Sequence, residues 1–320
     1  MAIMYTILRR LPWFAGMGVL FLTIGPALGS AEASGGTWRF AAPQQRLFRP
    51  LLADPTEARL AITSNLGDRL NGDIGGSWEA ADYAWGADGG LRFRTGIHAG
   101  VFSKLRRSGT TFPLETADYL IGFHADLGND RYTGRFEYAH VSAHLADGYE
   151  GYGGYEGYEG PSHADHAGKA DKADRTMRAR RAMTYSREYF TVYGARELRF
   201  APGSAVGSAI GSARVYGSLR WSNHAIPDVR RWRVQGGAEL VFRPLSGDGG
   251  TTRAYLACDV RLFRDGDISV NRTAHAGLLF HNEASRGLRI AFVYHGGRSE
   301  HGQFHHLEDD YAGIGLFFDL

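Results

Sequence analysis

Cysteine, long apolar segments and an excess of either charge are what this 320-residue chain lacks. Its single cysteine, Cys258, excludes an intramolecular disulfide. The net charge of +2 at pH 7 is too small to indicate nucleic acid as a partner, and no stripe of basic and aromatic residues suggests one. Beyond residue 28 no apolar run is long enough for a transmembrane helix. Because no Pro- or Ser-rich linker separates two apolar halves, we expect one domain.

The N-terminus has the features of a secretory signal peptide. Arg9 and Arg10 form a basic end, residues 11–28 are almost uncharged, and small residues follow. A membrane anchor is the alternative, because the run is just long enough to span a bilayer. Pro26 and the glycines beside it break a helix where a peptidase would cut, which favours the signal peptide. We therefore expect residues 1–33 to be removed on export.

Apolar and polar residues alternate in many segments of the chain. In Ala213–Ser222, for example, Val215 and Leu219 alternate with Arg214 and Arg220. Side chains alternate across a strand, so such a segment has one apolar and one charged face. A soluble periplasmic β-sandwich would also alternate. The runs are however about 10 residues or longer, as tilted membrane strands require.

The number of these runs predicts a closed barrel. They lie near residues 57–64, 72–84, 90–103, 116–127, 131–145, 185–200, 212–223, 231–243, 252–263, 268–281, 287–296 and 310–320. An even number of strands is typical of single-chain bacterial barrels. If the first strand runs outward, the long connections 104–115, 146–184 and 297–309 are external and the short ones are periplasmic. The sequence thus predicts an all-β fold: a single antiparallel transmembrane β-barrel of about 12 strands over 57–320, with short periplasmic turns and long extracellular loops. Residues 34–56 would precede it as a periplasmic N-terminal segment.

The last strand indicates the outer membrane of a Gram-negative bacterium. Every second residue from Ala312 to Leu320 is apolar, up to the end of the chain. This strand resembles the signal that the barrel-assembly machinery reads, although the usual terminal residue is Phe and here it is Leu320. The expected partners are therefore this machinery and outer-membrane lipid.

Residues 149–182 are of low complexity, with a Tyr/Gly/Glu repeat followed by a charged stretch. Such a composition cannot bury a core and predicts an extracellular loop. His163 and His166 lie in it, but no third ligand follows at metal-site spacing. We therefore expect no metal site and no cofactor.

Three separated motifs resemble a bacterial family catalogued as domain of unknown function 1207. The first is Leu52-Ala53-Asp54-Pro55, the second runs from His140 through His144 to Asp147, and the third is Gly302-Gln303-Phe304. The family usually has Gly-Asp after His-Leu, whereas this chain has Ala146-Asp147. The resemblance implies an outer-membrane barrel and no established activity.

A weaker resemblance to outer-membrane phospholipase A supplies an alternative function. That enzyme has a Ser nucleophile and a His base as His-x-Ser on a strand, and His140 and Ser142 have this spacing. Two residues apart on a strand, they share a face. The orienting Asn of the phospholipase is missing, since the comparable stretch here is Tyr185-Ser186-Arg187. One strand phase points His140 and Ser142 into the lumen; the opposite phase, with Phe136 and Tyr138 outward, points them to lipid. Calcium would be a cofactor only for this alternative.

The predicted inward faces carry charged rows with more arginines than acidic residues. A packed polar core and a water-filled pore both fit such rows at an intermediate strand number. The function expected from the sequence is a non-enzymatic envelope role, as a narrow pore, a receptor or a structural barrel. The residues of these rows that we take as a candidate site are Arg214, Arg220, Arg233, Glu239, Arg253, Asp259 and Arg261.

Overall fold

The computed structural model describes residues 36–40, 46–85, 90–146, 184–201, 203–204, 206–245, 251–265, 267–282 and 286–319. The predicted signal peptide, the low-complexity loop, Asp147 and Leu320 lie outside these residues. No helix in the described ranges is both long enough and apolar enough to cross a membrane.

The described residues form thirteen antiparallel strands. Their bounds are β1 Gly36–Phe40, β2 Leu60–Ser64, β3 Arg69–Trp85, β4 Leu91–Arg106, β5 Leu114–Gly128, β6 Tyr132–Leu145, β7 Tyr185–Arg199, β8 Ile210–Ile226, β9 Trp232–Pro244, β10 Thr252–Asp265, β11 Asp267–Asn282, β12 Arg286–Gly296 and β13 Tyr311–Asp319. The strands β2 to β13 pair in chain order, and β13 pairs with β2 to close the sheet. The predicted twelve-stranded antiparallel barrel is therefore confirmed.

Strand β2 closes the barrel although it is only five residues long. It pairs with β13 from Leu60 to Ser64 and with the start of β3 at 70–73. The other end of β3, Ala81–Trp85, pairs with β1. The sequence did not predict β1, because its five residues are too few to show an alternating pattern.

The two ends of the barrel differ in the length of their connections. The longest connections, from β6 to β7 and from β12 to β13, join strand ends on one side of the barrel, which we call the loop end. The short connections from β3 to β4 and from β5 to β6 join strand ends on the other side, which we call the turn end. The connection predicted at 104–115 shortens to 107–113, because β4 and β5 extend further than their apolar pattern does.

The barrel has its apolar side chains outside and its charges inside. On β8 and β9 the side chains of Leu219 and Val234 are each 49% exposed, whereas Arg214 is 1% exposed and Gln235 2%. The same division holds around the sheet, with Phe292 outside and Arg289 inside on β12. Alternation along each strand produces both faces at once.

Two segments fill the lumen. Residues 46–59, which we call the plug, lie inside the barrel, and the Phe48 ring packs on Tyr193 with 5.6 Å between ring centroids. Residues 297–310, which we call the inturned loop, fold inward from the loop end. There the Gly302 amide donates to Asp118 Oδ2 at 2.7 Å, and Gln303 Nε2 donates to the Ala143 carbonyl at 2.7 Å. The sequence predicts 34–56 as a segment ahead of the barrel, whereas 46–56 lie within it.

Candidate functional site

Arg261 joins the plug, the wall and the inturned loop. Its guanidinium is 1% exposed and donates through Nε to Asp259 Oδ1 at 2.9 Å and through Nη1 to Glu300 Oε2 at 2.9 Å. The remaining nitrogen, Nη2, binds Asp54 Oδ1 of the plug. A planar fork with donors in three directions suits this role, since a lysine would offer one point charge.

Asp54 is held from several sides. Gln235 Nε2 donates to Asp54 Oδ2 at 2.8 Å, and the Thr56 amide donates to Asp54 Oδ1 at 2.7 Å, which turns the chain at Pro55. Burial by itself would raise the pKa of the Asp54 carboxyl, but the guanidinium groups of Arg261 and Arg233 outweigh it and hold the pKa well below its usual range. Asp54 is therefore an ionised anchor of the plug.

The other residues of the predicted charge rows lie along the same interior. Arg214 Nε is 3.3 Å from Glu197 Oε1, and Arg214 Nη1 is 3.7 Å from Glu239 Oε2. Arg220 Nε donates to Thr191 Oγ1 at 3.1 Å, and Arg233 Nη2 donates to Gln235 Oε1 at 3.3 Å. Arg253, nearer the turn end, is half-buried.

Acidic groups that the sequence assignment left out balance much of this positive charge. Glu137 of β6 lies 3.6 Å from Arg220 between Oε1 and Nη2. Asp54 and Glu300 come from the plug and the inturned loop, which no strand pattern could place in the lumen. The cavity left between these two segments is about 140 Å³ and is lined by Asp54, Arg233 and Glu300 among others. The interior is thus mainly an ion-paired core.

Two of the three family motifs, at Asp54 and at Gly302–Phe304, make contacts between the filling segments and the wall. Gly302, Gln303 and Phe304 form a short 3-10 turn in the inturned loop. A Cβ on Gly302 would lie 2.3 Å from the Tyr185 ring, so glycine is required there. The Phe304 ring lies beneath Lys104, with 5.2 Å from Nζ to the ring centroid. His144 is exposed on β6, and Asp147 is outside the described residues.

His140 and Ser142 lie on the outer face of the barrel. On β6 the side chains of Arg135, Glu137 and Ala139 are buried inside, so the alternate residues point outward. His140 Nδ1 is 3.7 Å from Glu188 Oε1 on β7, and Tyr138 donates its hydroxyl to Glu188 Oε2 at 3.2 Å. Of the two phases that the sequence left open, the structure thus has the one with Tyr138 outward.

Glu188 was missed by the sequence reasoning. It lies directly opposite His140 in the β6–β7 pairing, and Ser186 lies opposite Ser142. A connection of nearly forty residues separates the two strands, so their register could not be read from the sequence. The only indication of it in the sequence is that Glu188, a carboxylate, directly follows Arg187.

Residues 207–320 match the model of a family described as "Protein of unknown function (DUF1207)". The resemblance to this family is confirmed. The match contains the Gly302-Gln303-Phe304 motif, whereas the motifs at Asp54 and at His140 lie before it. No curated protein matches the chain.

Proposed function

We propose that the chain is a β-barrel of the bacterial outer membrane with a non-enzymatic envelope role, as a receptor or structural barrel closed by its own plug. Its outer wall supports the membrane location. Large apolar side chains are exposed on strand after strand, among them Ile97, Val192, Leu219, Val260 and Phe292. An apolar surface that surrounds a protein requires a partner of equal extent, which a bilayer provides.

The filled lumen is the main support for a receptor or structural role. Arg261 binds both the plug and the inturned loop, and both segments contact the wall. A narrow open pore, one of the roles expected from the sequence, is the least supported of the three. The filled interior favours recognition or envelope structure over permeation.

Two experiments test this proposal. Cell fractionation should recover the protein with outer membranes, and the folded form should migrate differently from the boiled form on a gel; recovery in the soluble periplasm would refute the location. In planar bilayers the intact protein should give no steady conductance, whereas a variant lacking 46–57 should conduct. Steady conductance from the intact protein would contradict this proposal and support the narrow open pore instead.

A lipid hydrolase is the second candidate, and the orientation of His140 supports it. With His140 and Ser142 facing outward, Ser142 Oγ could attack a lipid ester carbonyl while His140 takes its proton and returns it to the leaving alcohol. Water would then release the acyl group from Ser142. Glu188 would orient the imidazole. This candidate ranks second because the described residues show no hydrogen bond between His140 and Ser142, and because 3.7 Å is too long for one between His140 and Glu188.

The hydrolase is tested with purified protein and phospholipid vesicles, with and without calcium. The matched control is Ser186→Ala, since Ser186 lies opposite Ser142 on the same outer face. If the first proposal is right, the wild-type protein and Ser142→Ala show the same background level of phospholipid hydrolysis. Calcium-stimulated hydrolysis that is lost in Ser142→Ala and His140→Ala, reduced in Glu188→Gln and kept in Ser186→Ala would establish the second candidate instead.

A further inference from the structure

We propose that Glu79, His124 and Asp126 form a binding site for a divalent transition-metal ion of the zinc type, inside the barrel wall beneath the plug. Each of the three residues offers one ligand atom, and these atoms all lie within 4.8 Å of one another. Glu79 Oε2 and His124 Nε2 are 3.0 Å apart, a separation that two ligands of one zinc ion can keep. The site is independent of the proposed membrane role.

The fold builds this cluster across three strands. Glu79 on β3 pairs with Gly96 on β4, and Gly96 pairs with His124 on β5. A Cβ on Gly96 would lie 2.9 Å from His124 Cε1, so the glycine leaves the space in which the other two side chains meet. A register shift between Glu79 and Ala81 lets both Glu79 and Asp82 point inward.

Two polar atoms of the cluster have no hydrogen-bond partner among the described residues. Glu79 and His124 are almost completely buried, yet Glu79 Oε1 and His124 Nδ1 have no hydrogen bond within the described part of the chain. Native interiors leave few such atoms. An ion that Glu79 bound through both carboxylate oxygens would explain Oε1, whereas His124 Nδ1 lies on the other side of the ring from Nε2 and is not explained by it. Asp126 Oδ1 accepts one hydrogen bond, from Arg135 Nε at 2.7 Å, and so keeps a lone pair for a ligand bond.

The donor set indicates the class of ion. One imidazole with two carboxylates is a combination that zinc accepts, and three protein ligands leave a fourth position for water or a further group. Arg135 pairs with Asp126, whereas Glu79 Oε2 contacts His124 and Glu79 Oε1 has no hydrogen bond among the described residues, so a cation at this point would meet a buried carboxylate. Sequence spacing did not reveal the site, because Glu79 and His124 are 45 residues apart.

The ion would also support the plug. Asp126 Oδ2 accepts a hydrogen bond from the Phe48 amide at 3.2 Å. Holding Asp126 in one orientation would therefore hold the start of the plug against the wall. We accordingly expect the loaded protein to resist protease cleavage within 46–59 better than the chelator-treated protein.

The test uses the full exported chain without a histidine tag, solubilised in detergent. The protein is dialysed against zinc chloride, then against metal-free buffer, and its zinc content is measured by mass spectrometry; cobalt chloride gives a visible absorption band as a second readout. We expect about one zinc ion per chain, and retention at least about tenfold weaker in Glu79→Gln and in His124→Ala. The control is His275→Ala, a buried histidine of β11 outside the cluster, which should keep the zinc.

Glu79→Gln keeps the size of the side chain, so it tests the site even if His124→Ala does not fold. Gel mobility before and after boiling identifies the folded variants. Equal zinc content in the wild-type protein and Glu79→Gln would overturn the proposal, and so would an equal loss in His275→Ala. In that case Glu79 and His124 form a hydrogen-bonded pair without an ion.

Discussion

Asp54 in the plug and Arg261 in β10 form a buried ion pair between residues that are 207 positions apart in the chain. Both side chains are almost fully enclosed, so if one is removed, water cannot take its place beside the remaining charge. The pair therefore couples the position of the plug to the integrity of the wall.

The first prediction concerns this coupling. Arg261→Gln leaves Asp54, Asp259 and Glu300 without their shared cation, and removal of one partner of a buried pair costs about 3–5 kcal/mol. We expect a lower urea midpoint for unfolding in detergent and faster protease cleavage of the plug. The matched control is Arg199→Gln, whose side chain is 74% exposed; its free energy of unfolding should change by less than about 0.5 kcal/mol. Equal effects of the two substitutions would contradict the coupling.

The second prediction concerns pH and the inturned loop. Burial lowers the pKa of His301 to about 3 and that of His305 to about 4, both from an ordinary value of 6.5. The folded loop thus binds fewer protons than the unfolded loop, and its stability is complete above about pH 6.5 and decreases as the pH falls towards 4. The protection factors of the amides in 297–310, which are exchange rates corrected for the intrinsic effect of pH, should therefore be lower at pH 4.5 than at pH 7.

The control for this prediction is His301→Gln, which cannot be protonated and should show a smaller change between the two pH values. The Asp54 contact should persist over the same range, because the pKa of Asp54 is lowered and the carboxylate stays ionised. Protection factors of the plug that fall together with those of the loop would show that the two segments do not respond separately.

The third prediction concerns which side chains face the bilayer. Cys258 is exposed, so it is first replaced in Cys258→Ala. Single cysteines at Leu219, Val234 and Leu256 should then react with lipid-soluble thiol reagents, because these positions are exposed on the apolar outer face. A cysteine at Gln235 should be protected. Reversed labelling would mean that the strand phase is wrong.

The fourth prediction compares two adjacent glycines of β9. A Cβ on Gly237 would lie 2.2 Å from the Tyr216 ring and would displace the hydroxyl that donates to Asp259 Oδ2 at 2.8 Å. We expect Gly237→Ala to destabilise the protein by about 1–3 kcal/mol, as measured by urea unfolding. Gly236→Ala is the control, since its Cβ would meet nothing closer than 3.8 Å. A loss of stability in Gly236→Ala as large as that in Gly237→Ala would argue against this packing.

The strands were predictable because each carries its own evidence. The alternation of Val215 and Leu219 with Arg214 and Arg220 reports a strand and its two faces without knowledge of its neighbours. The plug was not predictable in this way: Phe48, Leu51 and Asp54 do not follow the two-residue alternation of a strand, and only contacts with distant strands place them inside. Glu188 and the Glu79–His124 pair likewise depend on strand register, which the sequence between the strands does not report.

The attachment of the plug has a consequence for how it could move. Strand β1 precedes the plug and β2 follows it, and both are paired to the same strand, β3, one at Ala81–Trp85 and the other at 70–73. The plug is therefore attached to the wall at both of its ends and cannot leave the barrel as a separate body. If it leaves its seat, its two anchors keep it beside the lumen at a high effective concentration, so it reseats without a diffusional search. A ligand that opened the barrel would have to compete with the plug for the lumen throughout the time that the ligand stayed bound.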